Sequence, residues 1–282
     1  MKAPFKLNPF PKTVYDICGE DHELKKLHGS VYTITVLRRC SRIERKKSYI
    51  IKTYTELKFI QTETENLQKL DKVKGIPKLY YSSIFAEPEK KEYGKKVFPY
   101  NPPLYYTVIE RVKAIDLFEI QRIRNSDTGE RDFTRFSIDK LREIFRQILT
   151  LLVEIHKRGI IHQDIKEENI LYNEQKNRVY IIDFEGKKTL HNQSPEQFDQ
   201  SRLTEKTDIW SFGTMIYSSI TGYELISNTN DILLKPIDKM LSRLDKNLPE
   251  SLVDLFECIL DRNPVTRYSA SECLNHDFFQ EI

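Results

Sequence analysis

The stretch that decides the fold is His162-Gln-Asp-Ile-Lys-Glu-Glu-Asn-Ile-Leu171, which is followed by Val179-Tyr-Ile-Ile-Asp-Phe-Glu-Gly186. Together the two segments hold acids, amides and a lysine at short spacings. Taken alone, such a set also fits a turn-rich loop, because Asp and Asn are common in turns. The rest of the chain therefore has to indicate whether these side chains belong to a site.

The chain around and after these segments is predicted to be helical. Apolar side chains form a wide stripe over residues 138–157, which is typical of a buried helix, and Gly159 is placed to end it. Further helical patterns run over about residues 207–221 and about residues 249–260. The second half of the chain is therefore predicted to be mainly α-helical.

The first half is predicted to be rich in strands. Runs of β-branched and aromatic residues predict strands at residues 31–36, 48–52 and 104–109, and near-helical apolar spacing predicts one helix at residues 56–70. A strand-rich part followed by a helical part predicts an α+β fold with a cleft between two lobes. We expect the lobes to be residues 1–111 and 112–282.

Three polar stretches are predicted to lie on the surface. They are residues 38–47, 88–103 and 124–135. The first is strongly basic and is interpreted as a solvated hairpin loop, with docking of an acidic partner as the alternative.

Composition and charge narrow the function classes. The 282 residues are enough for a sizeable core, and the 39% hydrophobic and 31% charged residues are ordinary for a globular protein. A net charge of +3 gives no general case for a nucleic-acid or membrane partner. The 4 cysteines are widely spaced, which argues against a zinc site or a disulfide framework. Because the sequence shows neither a signal peptide nor an apolar run of ~18 residues, we expect an intracellular protein, cytoplasmic or nuclear. We also expect a monomer.

The two opening segments resemble the catalytic loop and the metal-binding motif of eukaryotic protein kinases, His-Arg-Asp-x-Lys-x-x-Asn followed by Asp-Phe-Gly. The resemblance implies a bilobal kinase fold at about residues 15–280, with an antiparallel β-sheet lobe that carries one helix and binds ATP, and a mainly helical catalytic lobe. It implies Asp164 as the base and Lys166 as the group that neutralises developing charge. It also implies Asn169 and Asp183 as the ligands of Mg²⁺.

The resemblance also implies the residues that bind ATP. Lys52 resembles the lysine that binds the α and β phosphates, and Glu63 resembles its partner on the helix, with Glu65 as the fallback. The other implied ATP contacts are Gly29, Val31, Glu110, Val112, Asp116 and Leu171. Alone, a lysine and a glutamate at such positions are usually a solvated pair, and Asp116 also fits an ordinary acid at a helix N-terminus.

Further motifs in the second half are interpreted as structural. Ser194-Pro-Glu196 resembles Ala-Pro-Glu, and Asp208-Ile-Trp-Ser-Phe-Gly213 matches the helix that anchors the catalytic loop. Arg267 resembles the arginine that pairs with the glutamate of Ala-Pro-Glu. The sequence therefore predicts a buried ion pair between Glu196 and Arg267.

Some positions near the implied nucleotide site depart from the family pattern. In residues 23–32 only Gly29 remains of a glycine-rich loop. Either two other glycines have been replaced, or the loop has shrunk to His28-Gly29-Ser30, which we favour. Both alternatives leave few backbone N–H groups to cradle phosphates. Ile50 stands where a small residue is usual, and Glu185 replaces the glycine of Asp-Phe-Gly, with a loss of backbone freedom.

The activation segment also departs from the family. Gln163 replaces the arginine that receives the phosphate of the activation loop. That loop is nearly absent, because only Lys187 and Lys188 separate Gly186 from Thr189, the residue at the position that faces the substrate. The two losses agree with each other, and we expect activity without phosphorylation of this segment.

Three function classes stay open, and we favour the first. It is a serine/threonine-type protein kinase that uses ATP and Mg²⁺ to phosphorylate a protein substrate, because the residues of phosphoryl transfer are retained. The alternative is a pseudokinase, a protein-binding or scaffold module with weak or no ATP turnover, which the depleted loop, Ile50 and Glu185 favour. A small-molecule kinase is a third class, against which Ser194-Pro-Glu196 argues. The expected partners are a protein substrate and a regulatory protein, and no nucleic acid is expected.

Overall fold

The structure, a computed structural model, describes residues 22–28, 30–40, 43–85, 91–93, 96–98, 105–121, 136–187, 189–199, 201–226 and 236–280. Gly29 and the predicted surface stretch at residues 124–135 lie outside these ranges. The described residues fall into two compact units. The first unit takes in the chain up to Lys72 and the residues from Ile76 to Val112, and the second takes in Val73–Gly75 and the residues from Lys113 onward.

An antiparallel sheet of five strands forms the framework of the first unit. Its strands are β1 (His22–His28), β2 (Val31–Cys40), β3 (Ile43–Tyr54), β4 (Leu79–Ser82) and β7 (Tyr105–Glu110), and a short separate hairpin is formed by β5 (Lys91–Tyr93) and β6 (Lys96–Phe98). The strand order in the sheet is β1-β2-β3-β7-β4. Ile51 on β3 pairs with Val108 on β7, and both side chains are fully buried, so apolar β-branched residues occupy the centre of the sheet.

The β2–β3 hairpin corrects one expectation. Residues 38–40 and 43–47 belong to strands and not to a loop, because β2 runs to Cys40 and β3 begins at Ile43, with Arg38 paired to Arg45 across the ladder. Antiparallel pairing satisfies the backbone N–H and C=O groups, and this satisfaction outweighs the polar composition on which the loop prediction rested.

The β1–β2 connection is short. His28 pairs with Val31, so only residues 29 and 30 separate the two strands. Because Gly29 lies outside the described residues, the shortened loop His28-Gly29-Ser30 stays a prediction.

One helix, α1 (Leu57–Lys69), belongs to the first unit, close to the range that the sequence predicts. Ile60, Glu63, Thr64 and Leu67 are its buried residues. Their spacing of three and four residues places them on one face, which explains why an amphipathic pattern marked this helix.

The second unit is mainly helical and carries a small sheet. Its helices are α2 (Leu117–Gln121), α3 (Ile138–His156), α4 (Pro195–Phe198), α5 (Lys206–Thr221), α6 (Ile237–Met240), α7 (Glu250–Ile259) and α8 (Ala270–Leu274). Its sheet has the order β10-β9-β8, with β8 at Ile115–Asp116, β9 at Ile170–Asn173 and β10 at Arg178–Ile181. Ser137 caps α3, because its hydroxyl accepts a hydrogen bond from the backbone N–H of Lys140 at 3.3 Å.

Helix α5 is the core of the second unit. Most of its residues are buried, including Trp210, Phe212 and Met215, which are fully so. A Cβ atom at Gly213 would lie 2.8 Å from a methyl carbon of Leu260, so the glycine permits the close packing at this point. This buried helix supports the segments described below.

Gly75 ties a short piece of chain to the second unit. Its φ of +103° lies in the region that favours glycine, and a Cβ there would meet the side chain of Leu151 at 2.8 Å. Its carbonyl accepts a hydrogen bond from the backbone N–H of Ile181 at 2.9 Å.

Among the described residues, the helices are all too short or too polar to cross a membrane.

Candidate functional site

Asp208 on α5 anchors the loop that precedes β9. Its fully buried carboxylate accepts hydrogen bonds from the backbone N–H groups of His162 at 2.9 Å and of Gln163 at 2.8 Å. The ring Nε2 of His156, at the end of α3, lies 2.9 Å from the same carboxylate. A buried carboxylate with these partners fixes the backbone of the loop just before Asp164, as the sequence motif predicts.

Gln163 holds an uncommon backbone conformation in this loop. Its φ is +70°, in the left-handed region that non-glycine residues rarely adopt. The side-chain amide of Gln197 donates to its carbonyl at 3.1 Å, and the same side chain accepts from the backbone N–H of Ser194 at 3.0 Å. Gln197 was missed by the sequence reasoning, although Ser194-x-x-Gln197 fits the capping-box pattern.

Asp164 carries the carboxylate at the centre of the loop. The side chain is buried, and its Oδ2 lies 2.8 Å from Lys166 Nζ in an ion pair and accepts a hydrogen bond from Asn169 Nδ2 at 3.1 Å. Its Oδ1 is also buried and has no hydrogen-bond partner among the described residues. An unsatisfied buried carboxylate oxygen is costly, so it indicates an atom that is kept available for a ligand.

The structure brings Asp164, Lys166 and Asn169 together and places Asp183 at the end of the neighbouring strand. The backbone N–H of Ile182 donates to the carbonyl of Asn169 at 3.0 Å, which fixes the backbone just before Asp183. The φ of Asp183 is +71°, so this residue also has a strained backbone of the kind that occurs at functional sites.

The side-chain oxygen atoms of Asn169 and Asp183 are ligands that fit a hard divalent cation. The amide nitrogen of Asn169 donates to the carbonyl and to the carboxylate of Asp164, at 2.8 and 3.1 Å. The amide oxygen of Asn169 is therefore the end that is left as a ligand. Amide and carboxylate oxygens are the ligands that Mg²⁺ accepts.

Glu185 does not carry the backbone strain that its position suggested. The left-handed conformation falls on Gly186, with a φ of +73°, and Glu185 is not among the residues of positive φ. Its buried carboxylate lies 2.6 Å from Lys187 Nζ. Lys187 thus compensates the negative charge that Glu185 introduces in place of the usual glycine.

In the first unit, Lys52 pairs with Glu63. Lys52 Nζ lies 3.3 Å from the carboxylate of Glu63, and both side chains are buried. Glu65 is exposed, so the structure favours Glu63 over the fallback partner. The pair is not the solvated surface pair that these residue types usually form.

The remaining residues implied for ATP divide between the two units. Val31 is paired with Lys52 across β2 and β3, and Gly29 lies outside the described residues. The backbone N–H of Glu110 donates to the carbonyl of Lys78 at 2.8 Å, and Val112 is half-buried.

In the second unit, Asp116 is paired with Leu171 across β8 and β9. The carboxylate of Asp116 accepts from the backbone N–H of Glu119 at 2.7 Å, so the ordinary role of an acid at a helix N-terminus is realised. A role of Asp116 in ATP binding stays a prediction.

Glu167 is a buried acid that the sequence reasoning missed. It follows Lys166, and its carboxylate accepts hydrogen bonds from the hydroxyls of Ser218 and Ser219 on α5. Burial raises the pKa of the Glu167 carboxyl to about 7, although the hydrogen bond from Ser218 acts in the opposite direction. Near neutral pH this loop therefore contains an acid that is partly protonated.

We expect Glu167→Gln to stabilise the protein at alkaline pH relative to the parent. Because the folded pKa lies above the unfolded one, the parent loses stability as the pH rises from about 4.5 through about 7. The variant has no such loss, so the difference in free energy of unfolding should grow between about pH 4.5 and about pH 8. Urea denaturation across this range measures it, with Glu168→Gln at the exposed neighbouring position as the matched control. A difference that does not depend on pH would contradict the assignment.

The predicted ion pair between Glu196 and Arg267 is confirmed. Arg267 is fully buried and contacts both carboxylate oxygens, at 2.6 and 3.0 Å, and the hydroxyl of Thr207 donates to the same carboxylate at 3.1 Å. Burial alone would raise the pKa of Glu196, but the hydrogen bond and charge of Arg267 outweigh it and lower that pKa. The guanidinium also stacks over the ring of Trp210, with 5.2 Å to the centroid.

Comparison with known proteins gives a consistent set of relatives. A family model described as "Protein kinase domain" matches residues 28–279. Serine/threonine-protein kinase PKH2 of Candida albicans is 25% identical over 281 residues, which cover 91% of this chain and 26% of that protein. Serine/threonine-protein kinase cds1 of Schizosaccharomyces pombe is 24% identical over 281 residues, with 89% of this chain and 56% of that protein covered. This chain therefore spans well under two thirds of the length of these two relatives.

A solved structure has a similar fold. It is the Rad53 kinase domain and SCD2 in complex with AMPPNP, and it matches with a TM-score of 0.64 and 24% identity, covering 93% of this chain and 91% of that one.

Proposed function

The chain belongs to the protein kinase domain family, and on that premise we propose that it is a serine/threonine-type protein kinase that transfers the γ-phosphoryl group of ATP to a protein hydroxyl. Family membership and the solved neighbour confirm the resemblance and the α+β protein kinase fold predicted from the sequence. The relatives are themselves named serine/threonine-protein kinases, which supports this acceptor class over a small molecule.

The observation that carries the proposal is the state of Asp164. One oxygen of its carboxylate is held by Lys166 and Asn169, and the other is buried without a partner among the described residues. A hydroxyl group that donates to this oxygen would satisfy it and would be oriented for attack. This arrangement is the one that a phosphoryl acceptor requires.

The reaction assigns a role to each group. As the acceptor oxygen forms its bond to the γ-phosphorus, the bond from that phosphorus to the bridging oxygen breaks, and ADP leaves with the electron pair. The acceptor proton passes to Asp164. Lys166, which is 2.8 Å from Asp164, stabilises the negative charge of the transferring group.

The nucleotide is held by the remaining groups. Lys52, oriented by Glu63, binds the phosphates, and Asn169 and Asp183 would hold Mg²⁺ through oxygen atoms. Mg²⁺, when bound, neutralises phosphate charge. The main support for the pseudokinase alternative is the depleted phosphate loop. This alternative is not favoured, because each polar residue of the chemistry is retained.

We expect the protein to bind ATP in a manner that depends on Mg²⁺, and more weakly than a kinase with a full glycine-rich loop. The reason is that the lysine and the oxygen ligands are present while the β1–β2 connection spans only residues 29 and 30. A thermal-shift titration measures this binding, since a ligand raises the melting temperature by mass action. The control variant is Lys52→Met, which should remove most of the shift.

The same samples test transfer. Incubation with ATP labelled at the γ-phosphoryl and with myelin basic protein should label serine or threonine of the acceptor. The absence of a shift at millimolar ATP with Mg²⁺, together with no labelling, would favour the pseudokinase instead.

A further inference from the structure

The segment that follows Gly186 is held by side-chain hydrogen bonds at its middle. A short 3₁₀ helix at Leu190–Asn192 lies between the Lys166–Thr189 contact and the capping box that begins at Ser194. The Lys166 ammonium donates to the hydroxyl of Thr189 at 2.6 Å and also contacts Asp164. The position of this segment is therefore coupled to the catalytic lysine.

Asn192 connects this 3₁₀ helix to α5. Its backbone carbonyl accepts from the hydroxyl of Ser211 at 2.7 Å. Its side-chain oxygen accepts from the hydroxyl of Thr214 at 3.0 Å. The same hydroxyl also lies within donating distance of the backbone carbonyl of Ser211, at 2.8 Å. Both hydroxyls belong to buried residues of α5. Hydrogen bonds between such groups resist opening, because a buried polar atom that loses its partner is costly.

The link from Asn192 to the catalytic residues is short and continuous. The backbone N–H of Asn192 donates to the carbonyl of Thr189 at 3.1 Å, which closes the 3₁₀ turn. The hydroxyl of Thr189 accepts from Lys166, and Lys166 contacts Asp164 at 2.8 Å. Loss of the bonds between Asn192 and α5 would therefore release the hydroxyl that positions Lys166.

A phosphate on this segment could not fix its position through Gln163. Gln163, the residue next to Asp164, is neutral, and it cannot bind a phosphate as the fork of an arginine does. Its carbonyl and N–H are already used by Gln197 and Asp208. At Asn192 the segment thus has neutral hydrogen bonds to α5 in place of a contact between a phosphate and an arginine.

We propose that Asn192 is a positioning residue, which through Ser211 and Thr214 fixes the segment that orients Lys166, so that the protein is active without phosphorylation of this segment. The proposal rests on the proposed kinase function. Asn192 does not touch the reacting atoms, so its loss should lower the rate of transfer and leave ATP binding unchanged.

The test uses the full chain and four variants. Asn192→Ala and Thr214→Val remove the side-chain bond, and Thr214→Ser keeps the hydroxyl while it also changes the side-chain volume. Thr150→Val is the matched control, because its hydroxyl donates only within α3, to the carbonyl of Arg146 at 2.8 Å. Steady-state assays give kcat and the KM for ATP, and hydrogen exchange gives the protection of the amides of residues 189–194.

The expected result is a fall in kcat of between about 10-fold and 10²-fold for Asn192→Ala and Thr214→Val, with the KM for ATP unchanged. Thr214→Ser should retain most of the activity, and Thr150→Val should match the parent. Exchange at residues 189–194 should rise in the first two variants only. Phosphatase treatment of the parent should leave kcat unchanged.

Three results would overturn the proposal. They are unchanged exchange in both Asn192→Ala and Thr214→Val, an equal loss of kcat in Thr214→Ser and Thr214→Val, and a parent whose activity collapses on phosphatase treatment. The exchange measurement does not depend on turnover. An inactive parent whose segment opens in Asn192→Ala would therefore reject the proposed function and keep the anchoring role.

Discussion

Asp164→Asn is expected to lower the rate of phosphoryl transfer by about 10²–10⁴-fold and to leave the affinity for ATP unchanged. The variant keeps the shape of the side chain, so Lys166 and Asn169 can stay near their positions. In the proposed mechanism, the Asp164 carboxylate accepts the proton of the attacking hydroxyl, and the variant loses this carboxylate. Because the proposal assigns Asp164 to the acceptor and not to ATP, the nucleotide should still bind through Lys52, Asn169 and Asp183.

Two measurements separate these effects. Labelled transfer to myelin basic protein gives the rate, and the thermal shift with ATP and Mg²⁺ gives the binding. Asp71→Asn, which makes the same chemical change at an exposed position, is the control and should match the parent in both. Equal transfer by Asp164→Asn and the parent would mean that the activity comes from another site or from a contaminant.

Arg267→Met is expected to lower the free energy of unfolding by about 3–5 kcal/mol. The substitution removes the guanidinium that contacts both oxygens of Glu196 in a fully buried position. The carboxylate then keeps the hydroxyl of Thr207 but has no compensating charge. The carbonyl of Asp261 also loses its donor, which lies 2.7 Å away in the parent.

Urea denaturation of the purified proteins measures this loss. Arg158→Met is the matched control, because Arg158 pairs with Glu154 at 2.8 Å on the surface of α3, where such pairs contribute about 0.2–1 kcal/mol. A similar loss in the two variants would show that the pair of Glu196 and Arg267 does not have the energetics of a buried pair.

Much of the fold could be predicted because local sequence and tertiary packing agree. Helices α1, α3, α5 and α7 follow from apolar spacing, since each of them buries one face or, for α5, nearly all of its length. Lys52–Glu63 and Glu196–Arg267 could be named as pairs because family motifs fix both partners. The roles of Lys52 and Glu63 in ATP binding stay predictions.

Other features depend on contacts that no local pattern encodes. The pKa of Glu167 depends on its burial against Ser218 and Ser219, which are distant in the sequence. The sequence does not distinguish Asn192 from the other polar residues near it. Its contacts become visible only when its turn is seen to pack on α5. The strand residues 38–40 and 43–47 were missed because their charged composition resembles that of a loop, while their backbone pairing is independent of side-chain charge.

The attachment of Gly75 to β10 has a consequence for protein engineering. The chain enters the second unit at Val73–Gly75, returns to the first, and enters the second again at Lys113. A single cut near residue 112 therefore cannot yield two self-sufficient fragments. A fragment that begins at Lys113 would lack the carbonyl that accepts from Ile181 and the glycine that packs on Leu151. A split-protein reporter built on this scaffold would have to supply that tripeptide to the helical fragment, for example through a linker fused ahead of Lys113.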